Sequence, residues 1–434
     1  MTLAAVLVGV GSFRWRPWRR AGPPSLEELR RGAGPLLAGA AVVPLDPPPA
    51  VPVAGFPRLH WAAEGVRDPV SARALVLEEP GCRVALVSLE ILLVPARLQR
   101  AIERRVRGLG LDGVVVAATH THAGPGAFWE EALGERLATG PYQRAVFDLL
   151  VDRAAAAIRQ AHDAREPAYL SIGTGEAHGL ARNRSGGAVD GRLVSARLTA
   201  LSGKVVASVV VFPAHATLLG VENRLISGDW PGALMRSQPQ PLLFFQGALG
   251  DQSAAVPQPP ERYAHALETR VAAVHLSPGD PWPPLAFARA SVVLPAPIPG
   301  ATPPLFRRVA RNLFYDWVPA RAQVAALRLG PTVLLAVPAE PVAAVARSWR
   351  DAAGVGAEVL SLAGDYLGYV ETSERMAEAA GETVRTYYGP ELAERLAGAV
   401  RLGAGAVADP GPPDGHPGQK RTPAAGGVAG APER

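Results

Sequence analysis

The chain has almost no cysteine and very little lysine. Cys82 is the only cysteine in 434 residues, so no internal disulfide and no cysteine metal cluster can form. Any metal must be held by histidine, carboxylate or phenol. Lys204 and Lys420 are the only lysines, and the rest of the basic side chains are arginine. Those charges are scattered and aromatics make up 6% of the chain, so a basic stripe with interleaved aromatics is missing and nucleic-acid binding is excluded. Long apolar runs are missing too. Leu3 to Phe13 is too short to span a bilayer. It has the length of a signal-peptide core, yet no basic segment precedes it and Arg14, Arg16, Arg19 and Arg20 follow. Residues 1 to 35 are therefore read as a leader, either a floppy or truncated amino terminus or a remnant signal or anchor. A net charge of +5 and a pI near 9.6 permit attraction to an anionic membrane surface.

Hydrophobic residues are 48% of the chain, and periodic apolar segments extend from Leu75 to Leu402, which predicts a globular body over residues 36 to 403. Pro44 to Pro52 is a proline-dense stretch feeding that body. Residues 404 to 434 are rich in Gly, Pro and Ala without apolar periodicity and read as a disordered tail. Arg83 to Leu89 and Val114 to Ala118 read as buried strands around a helix at Pro95 to Gly108, a βαβ unit. Gln143 to Ala161 reads as an amphipathic helix. Arg192 to Leu201 and Val205 to Phe212 form a hairpin around Ser202 and Gly203. Further strands are expected at Leu242 to Phe245, Val324 to Leu329, Thr332 to Val337 and Glu358 to Leu362, with helices at Glu261 to His275 and Val342 to Ala352. The class is α/β, with mixed sheets and flanking helices in one large catalytic body.

Parallel strands buried by helices place ligands beyond their carboxyl ends. Glu90 and Thr119 to His122 fall there. His120 and His122 stand two apart, so an extended backbone would point both imidazoles into one cleft. Ala123 to Gly126 follow as a tight loop, in which Gly124 lets a ligand approach the backbone. His215 ends the second hairpin strand, and histidine is both the commonest metal ligand and the usual general base. Gln246 to Ser253 bends a strand into a loop carrying Asp251 and Ser253, without the Gly-x-Ser-x-Gly elbow. Glu340 follows one strand, and Tyr366 and Tyr369 follow another. Carboxylate oxygen suits zinc. From the residues alone, both tyrosines read as packing groups and Ser253 as a turn or capping serine.

In order, Ala117 to Gly126, Asn183-Arg184-Ser185, Phe212 to Thr217, Leu225 to Asp229, Gln246 to Ser253, Val337 to Glu340 and Tyr369 to Thr372 resemble the catalytic domain of the neutral/alkaline, non-lysosomal ceramidases. The resemblance covers roughly residues 35 to 400. It implies one zinc ion held by His120, His215, Glu340 and Tyr369, with His122 and Arg184 lining the site. It also implies Ser253 as a nucleophile or substrate-orienting hydroxyl, and Gly124 and Asp251 as substrate-binding positions. The implied reaction is hydrolysis of the N-acyl bond of ceramide or a related N-acyl lipid by zinc-activated water. His122 would shuttle the proton and Arg184 would donate to substrate oxygen. Family resemblance also points to a secreted, periplasmic or membrane-associated protein, and leaves the oligomeric state open.

Two departures separate the chain from the family pattern. Ser253-Ala254-Ala255 replaces Ser-Pro-Asn, and Gly381-Glu382 stands where a substrate-contacting Tyr-Glu pair is usual. The sequence ends before the family's carboxyl-terminal β-sandwich. Two other readings compete. A metal amidohydrolase of another type would need an eight-fold β/α alternation, which the hairpin at Arg192 to Phe212 interrupts. A lipid-binding or sugar-binding protein that lost turnover would have no use for a complete ligand set.

Overall fold

The structure is a computed structural model that describes residues 19, 22–131, 134–300, 302–315 and 318–408. Thirteen strands carry the architecture: β1 (Ser25–Arg31), β2 (Leu37–Pro44), β3 (Ser71–Glu79), β4 (Cys82–Leu89), β5 (Gly113–Ala118), β6 (Glu166–Glu176), β7 (Arg192–Ala200), β8 (Val205–Phe212), β9 (Leu242–Gln246), β10 (Leu285–Val293), β11 (Arg321–Leu329), β12 (Thr332–Ala336) and β13 (Ala357–Leu360). Eight of them form one sheet in the order β9-β8-β7-β6-β2-β3-β4-β5, and five form a second in the order β1-β10-β11-β12-β13. The helices used below are α1 (Ala96–Val106), α2 (Arg144–Asp163), α3 (Asp229–Arg236), α4 (Pro260–Ala272), α5 (Arg307–Phe314), α6 (Ala343–Ala353) and α7 (Glu391–Val407).

Strand alternation decides which layer each residue joins. In β4, Cys82, Val84 and Leu86 point into a core shared with Leu285, Phe287, Leu327 and Leu334 of the smaller sheet. Ala85, Val87 and Leu89, one residue out of phase, pack beneath α1 and α2. The outer face of the five-stranded sheet is covered by α6 and α7, and the β7 to β9 end of the larger sheet by α3 and α4. The result is four layers, helix, sheet, sheet, helix, so both sheets are buried on two faces. That is why their strands read as near-continuous apolar runs.

In α1, Leu98, Ile102 and Val106 recur at four-residue spacing on the buried side. Gln99 sits among them, giving its amide N–H to Val114 O at 2.8 Å and accepting from Val116 N at 3.1 Å, which ties the helix to β5. Gly39 of β2 is where α2 comes closest; a Cβ there would lie 2.2 Å from Ala161 O. Cys82 lies between the sheets, and burial pushes its thiol up to about 12, so it is no nucleophile.

Two segments differ from the sequence reading. Ser25–Arg31, within the stretch read as a leader, form β1, an edge strand paired antiparallel with β10. The last helix runs to Val407, four residues into the stretch read as a tail. Leu3 to Phe13 and residues 409 to 434 lie outside the described residues. Among the described residues no helix is long and apolar enough to cross a membrane.

Three parallel pairs, β4 with β5, β8 with β9, and β12 with β13, deliver their carboxyl ends to one region. The residues that follow those ends build the site.

Candidate metal centre

Past the end of β5, Thr119 N–H donates to Leu89 O at 2.9 Å and His120 N–H to Ile91 O at 3.1 Å. His120 then takes a φ of +64°, a left-handed conformation that is uncommon outside glycine. The extended backbone expected across His120 to His122 is therefore absent. The turn still brings the two imidazoles together, Nε2 to Nε2 at 3.2 Å and edge to face. His215 is held beyond β8 by its own N–H on Gln252 O at 3.1 Å. The reactive atoms of His120, His122 and His215 all lie within 4.8 Å of one another.

Glu340 Oε2 stands 3.4 Å from His120 Nε2 and 3.2 Å from His215 Nε2. Tyr369 Oη is 2.9 Å from His215 Nε2, and it is positioned by parallel pairing of its backbone with Glu340. The histidine tautomers follow from their second nitrogens. His120 Nδ1 lies 2.7 Å from Leu92 O and His215 Nδ1 lies 2.8 Å from Gln252 O. A carbonyl only accepts, so each Nδ1 carries the proton and each Nε2 turns a lone pair toward Glu340. His122 differs, because its buried Nδ1 has no hydrogen-bond partner and no carbonyl fixes its tautomer.

Burial lowers His215 to about 4, with the Arg184 charge adding to it, so the ring is neutral at ordinary pH. Burial also drives His122 well below its usual value, assisted by its two histidine neighbours. Burial raises the Tyr369 phenol well above its usual value, with Glu340 reinforcing it and Arg184 opposing. Glu340 Oε1 accepts from Tyr366 Oη at 2.8 Å, whereas its buried Oε2 has no hydrogen-bond partner. Two lone pairs and an orphaned carboxylate oxygen facing one point are unfavourable unless a cation sits among them. Nitrogen and oxygen donors in this number suit zinc.

The remaining candidate residues are placed behind or beside this ring. Arg184 gives Nε to Glu382 Oε1 at 2.8 Å and Nη2 to Gly250 O at 2.8 Å and Tyr369 Oη at 3.1 Å. Its guanidinium therefore anchors Tyr369 to a buried glutamate. Gly381 has a φ of +64°, and a Cβ there would lie 2.1 Å from Glu371 Oε2, so this glycine is what lets Glu382 reach Arg184. Ser253 is half-buried, bridges His215 through the backbone, and has no side-chain hydrogen bond among the described residues. Asp251 is taken up by the protein, accepting from Asn183 at 2.5 Å, Gln252 at 2.7 Å and the Ala343 N–H at 2.9 Å. Gly124 is enclosed, with Glu90 O 3.0 Å from where a Cβ would stand.

Sequence reading missed Gln246 and undervalued Tyr366. The fully buried amide of Gln246 donates to Thr119 O and Ala214 O, both at 2.9 Å, and accepts from Ala214 N at 3.2 Å. Thr119 precedes His120 and Ala214 precedes His215, so one side chain joins the two histidine loops. The signal available was a polar residue closing the apolar run Leu242 to Phe245.

Asp229 braces the loop that packs on His215. Its carboxylate accepts from Leu219 N at 2.9 Å and Trp230 N at 2.6 Å, and the Trp230 indole donates to His215 O at 3.2 Å. Burial pushes its pKa up to about 6 from an unfolded value of 3.8. The folded state thus binds this proton more tightly, so the stability contributed is greatest below the unfolded pKa and is lost as pH rises through the folded one. The expected result is that wild type loses about 2 kcal/mol relative to Asp229→Asn between about pH 4 and pH 7. Urea unfolding of both proteins across that range checks it, and parallel curves would refute it.

Residues 47–236 match the model for the N-terminal part of neutral/alkaline non-lysosomal ceramidases. Neutral ceramidase of Pseudomonas aeruginosa is 28% identical over 200 residues, which are 41% of this chain and 29% of that protein. Neutral ceramidase of Mycobacterium tuberculosis is 28% identical over 201 residues, 41% of this chain and 31% of that protein. Neutral ceramidase A of Dictyostelium discoideum is 34% identical over 136 residues, 28% and 19% of the two chains. These matches span less than a third of the relatives' own length. The fold extends the likeness further. The crystal structure of neutral ceramidase from Pseudomonas aeruginosa superposes with a TM-score of 0.73 at 21% identity, over 86% of this chain and 74% of that one.

Proposed function

We propose, from the premise that this chain belongs to the neutral/alkaline, non-lysosomal ceramidase family, that it is a zinc-dependent amide hydrolase cleaving the N-acyl bond of ceramide or a related N-acyl lipid to a fatty acid and an amine. The observation that carries this reading is the orphaned, fully buried Glu340 Oε2 facing the lone pairs of His120 and His215. Those three side chains would hold the ion, with Tyr369 as a fourth donor. When bound, zinc supplies Lewis-acid chemistry, polarising a carbonyl and lowering the pKa of water.

The chain's own residues account for the proton movements. Hydrolysis of an amide requires one proton to leave the attacking water and one to reach the departing nitrogen. His122 is neutral, adjoins the ring, and is the one histidine of the three whose tautomer no carbonyl locks. It therefore suits the role of carrier, taking the proton from water and returning it to the amine. Arg184 and Glu382 hold the Tyr369 phenol in place. Ser253, beside His215 and without a bonded hydroxyl among the described residues, orients the substrate or serves as the alternative nucleophile.

The test combines metal analysis with a panel of N-acyl amines of increasing chain length. One zinc per chain is expected, with hydrolysis lost on chelation and restored by zinc, and with N-acyl sphingoid bases preferred. Purified protein that holds no zinc and cleaves nothing in the panel would sink the proposal.

A further inference from the structure

A cavity of about 230 Å³ lies between α1 and the five-stranded sheet and shares no residue with the metal centre. Its floor is the open end of the core between the two sheets, where Val115, Ala336 and Ala363 are buried. Ala96, Ala322 and Ala325 complete the apolar wall. Space remains there because these side chains are small. At about 30 Å³ for a water-sized group, the cavity has room for about eight non-hydrogen atoms.

The charged groups of this cavity are unevenly matched. Arg289 Nη2 donates to Glu103 Oε1 at 2.8 Å, and the same oxygen accepts from Gln99 at 2.9 Å. Glu27 accepts from Gln323 at 2.5 Å. Asp365 Oδ1 accepts the Ala96 N–H at 2.9 Å and the Tyr366 N–H at 2.8 Å, and the Arg100 charge also reaches this carboxylate. Each lining carboxylate thus has a donor within the protein. Two of the three arginines have no such answer. Arg100 lies on α1, and Arg321 opens β11 after the connection that carries α5. Both are exposed, and among the described residues neither makes a hydrogen bond or an ion pair. Both also line an adjoining cleft of about 470 Å³ that runs to Phe128 and Trp129.

We infer that this cavity is a second ligand site, which takes a short-chain carboxylic acid of about six carbons. The alkyl tail lies on the valine and alanine floor, and the carboxylate lies between Arg100 and Arg321. A carboxylate accepts paired N–H groups from a guanidinium, whereas an amine of the same length would meet two positive charges and an alcohol would leave them unanswered. The inference goes beyond the proposed function and does not depend on it. The cavity wall nevertheless touches the metal centre indirectly. Asp365 precedes Tyr366, whose hydroxyl donates to Glu340 Oε1 at 2.8 Å. An acid bound here lies against the segment that orients Glu340.

Saturation-transfer NMR of the purified protein titrated with hexanoate tests the site. Hexanoate should bind, hexylamine should not, and treatment with a zinc chelator should leave hexanoate affinity unchanged. The double variant Arg100→Gln, Arg321→Gln should weaken hexanoate about 10-fold while zinc content stays at the wild-type level. Both side chains are exposed, so the fold tolerates the change. Ala325→Leu, which fills the cavity from its wall, should weaken hexanoate by a route that leaves the charges alone. Hexanoate affinity that is equal in the arginine variant and wild type, or that disappears with the metal, overturns the inference. So does hexylamine binding as tightly as hexanoate, or no binding of hexanoate at all.

Discussion

His215→Ala is expected to abolish stoichiometric zinc binding and to lower N-acyl amide hydrolysis by about a thousandfold or more. A metal acting as Lewis acid contributes several kcal/mol to the barrier, and each 1.4 kcal/mol or so is tenfold in rate. The backbone of residue 215 would stay in place, because its N–H bonds Gln252 O and its carbonyl receives the Trp230 indole, neither of which needs the imidazole. The change therefore isolates the ring nitrogen that faces Glu340 Oε2 and Tyr369 Oη. Metal content and hydrolysis are read on the same preparation, with circular dichroism to show that the fold is retained. His122→Ala is the informative partner, since a proton carrier can be removed while zinc stays bound. Full zinc occupancy with wild-type turnover in His215→Ala would show that the ion, or the chemistry, lies elsewhere.

Much of the layer structure was legible because buried strands write themselves as apolar runs. Arg83 to Leu89 and Val114 to Ala118 became the parallel pair β4 and β5, and the hairpin at Arg192 to Phe212 became β7 and β8. Pairing over long sequence distances leaves no such trace. Nothing local in Leu37–Pro44 says that β2 bonds both Ser71–Glu79 and Glu166–Glu176, and nothing in Ser25–Arg31, with its charged residues, marks an edge strand. A half-exposed edge needs no apolar run.

The site was legible unevenly for a related reason. His120 and His122 stood out as a pair, but the turn that joins them has His120 at a φ of +64°, where the Thr119 and His120 N–H groups donate to Leu89 O and Ile91 O at and just past the end of a neighbouring strand. Glu340 and Tyr369 became candidates through resemblance to a family pattern, because a glutamate and a tyrosine after two distant strands carry no signal of their own. Their parallel pairing in the fold supplies the missing link. Tyr366 and Gln246 act on backbone and carboxylate atoms of residues 26 and more positions away, which only the folded chain reveals.

The second large effect is expected at Gln246, which touches no part of the ring. Gln246→Ala leaves Thr119 O, Ala214 O and Ala214 N without their buried partner. Each unsatisfied buried group costs about 1 to 3 kcal/mol, so a loss of about 3 kcal/mol or more in unfolding free energy follows. Because Thr119 and Ala214 adjoin His120 and His215, the same change frees the two loops relative to each other and should weaken zinc about 10-fold to 100-fold, the range seen when groups supporting metal ligands are removed. Gln246→Glu separates the two effects. It preserves volume and an acceptor for Ala214 N, but as a carboxylate it cannot donate to either carbonyl. Zinc affinity, measured by competition with a chelator, should fall in both variants, and most in alanine. A Gln246→Ala protein that loses stability yet keeps wild-type zinc affinity would show that the clamp supports the fold and not the spacing of the histidines.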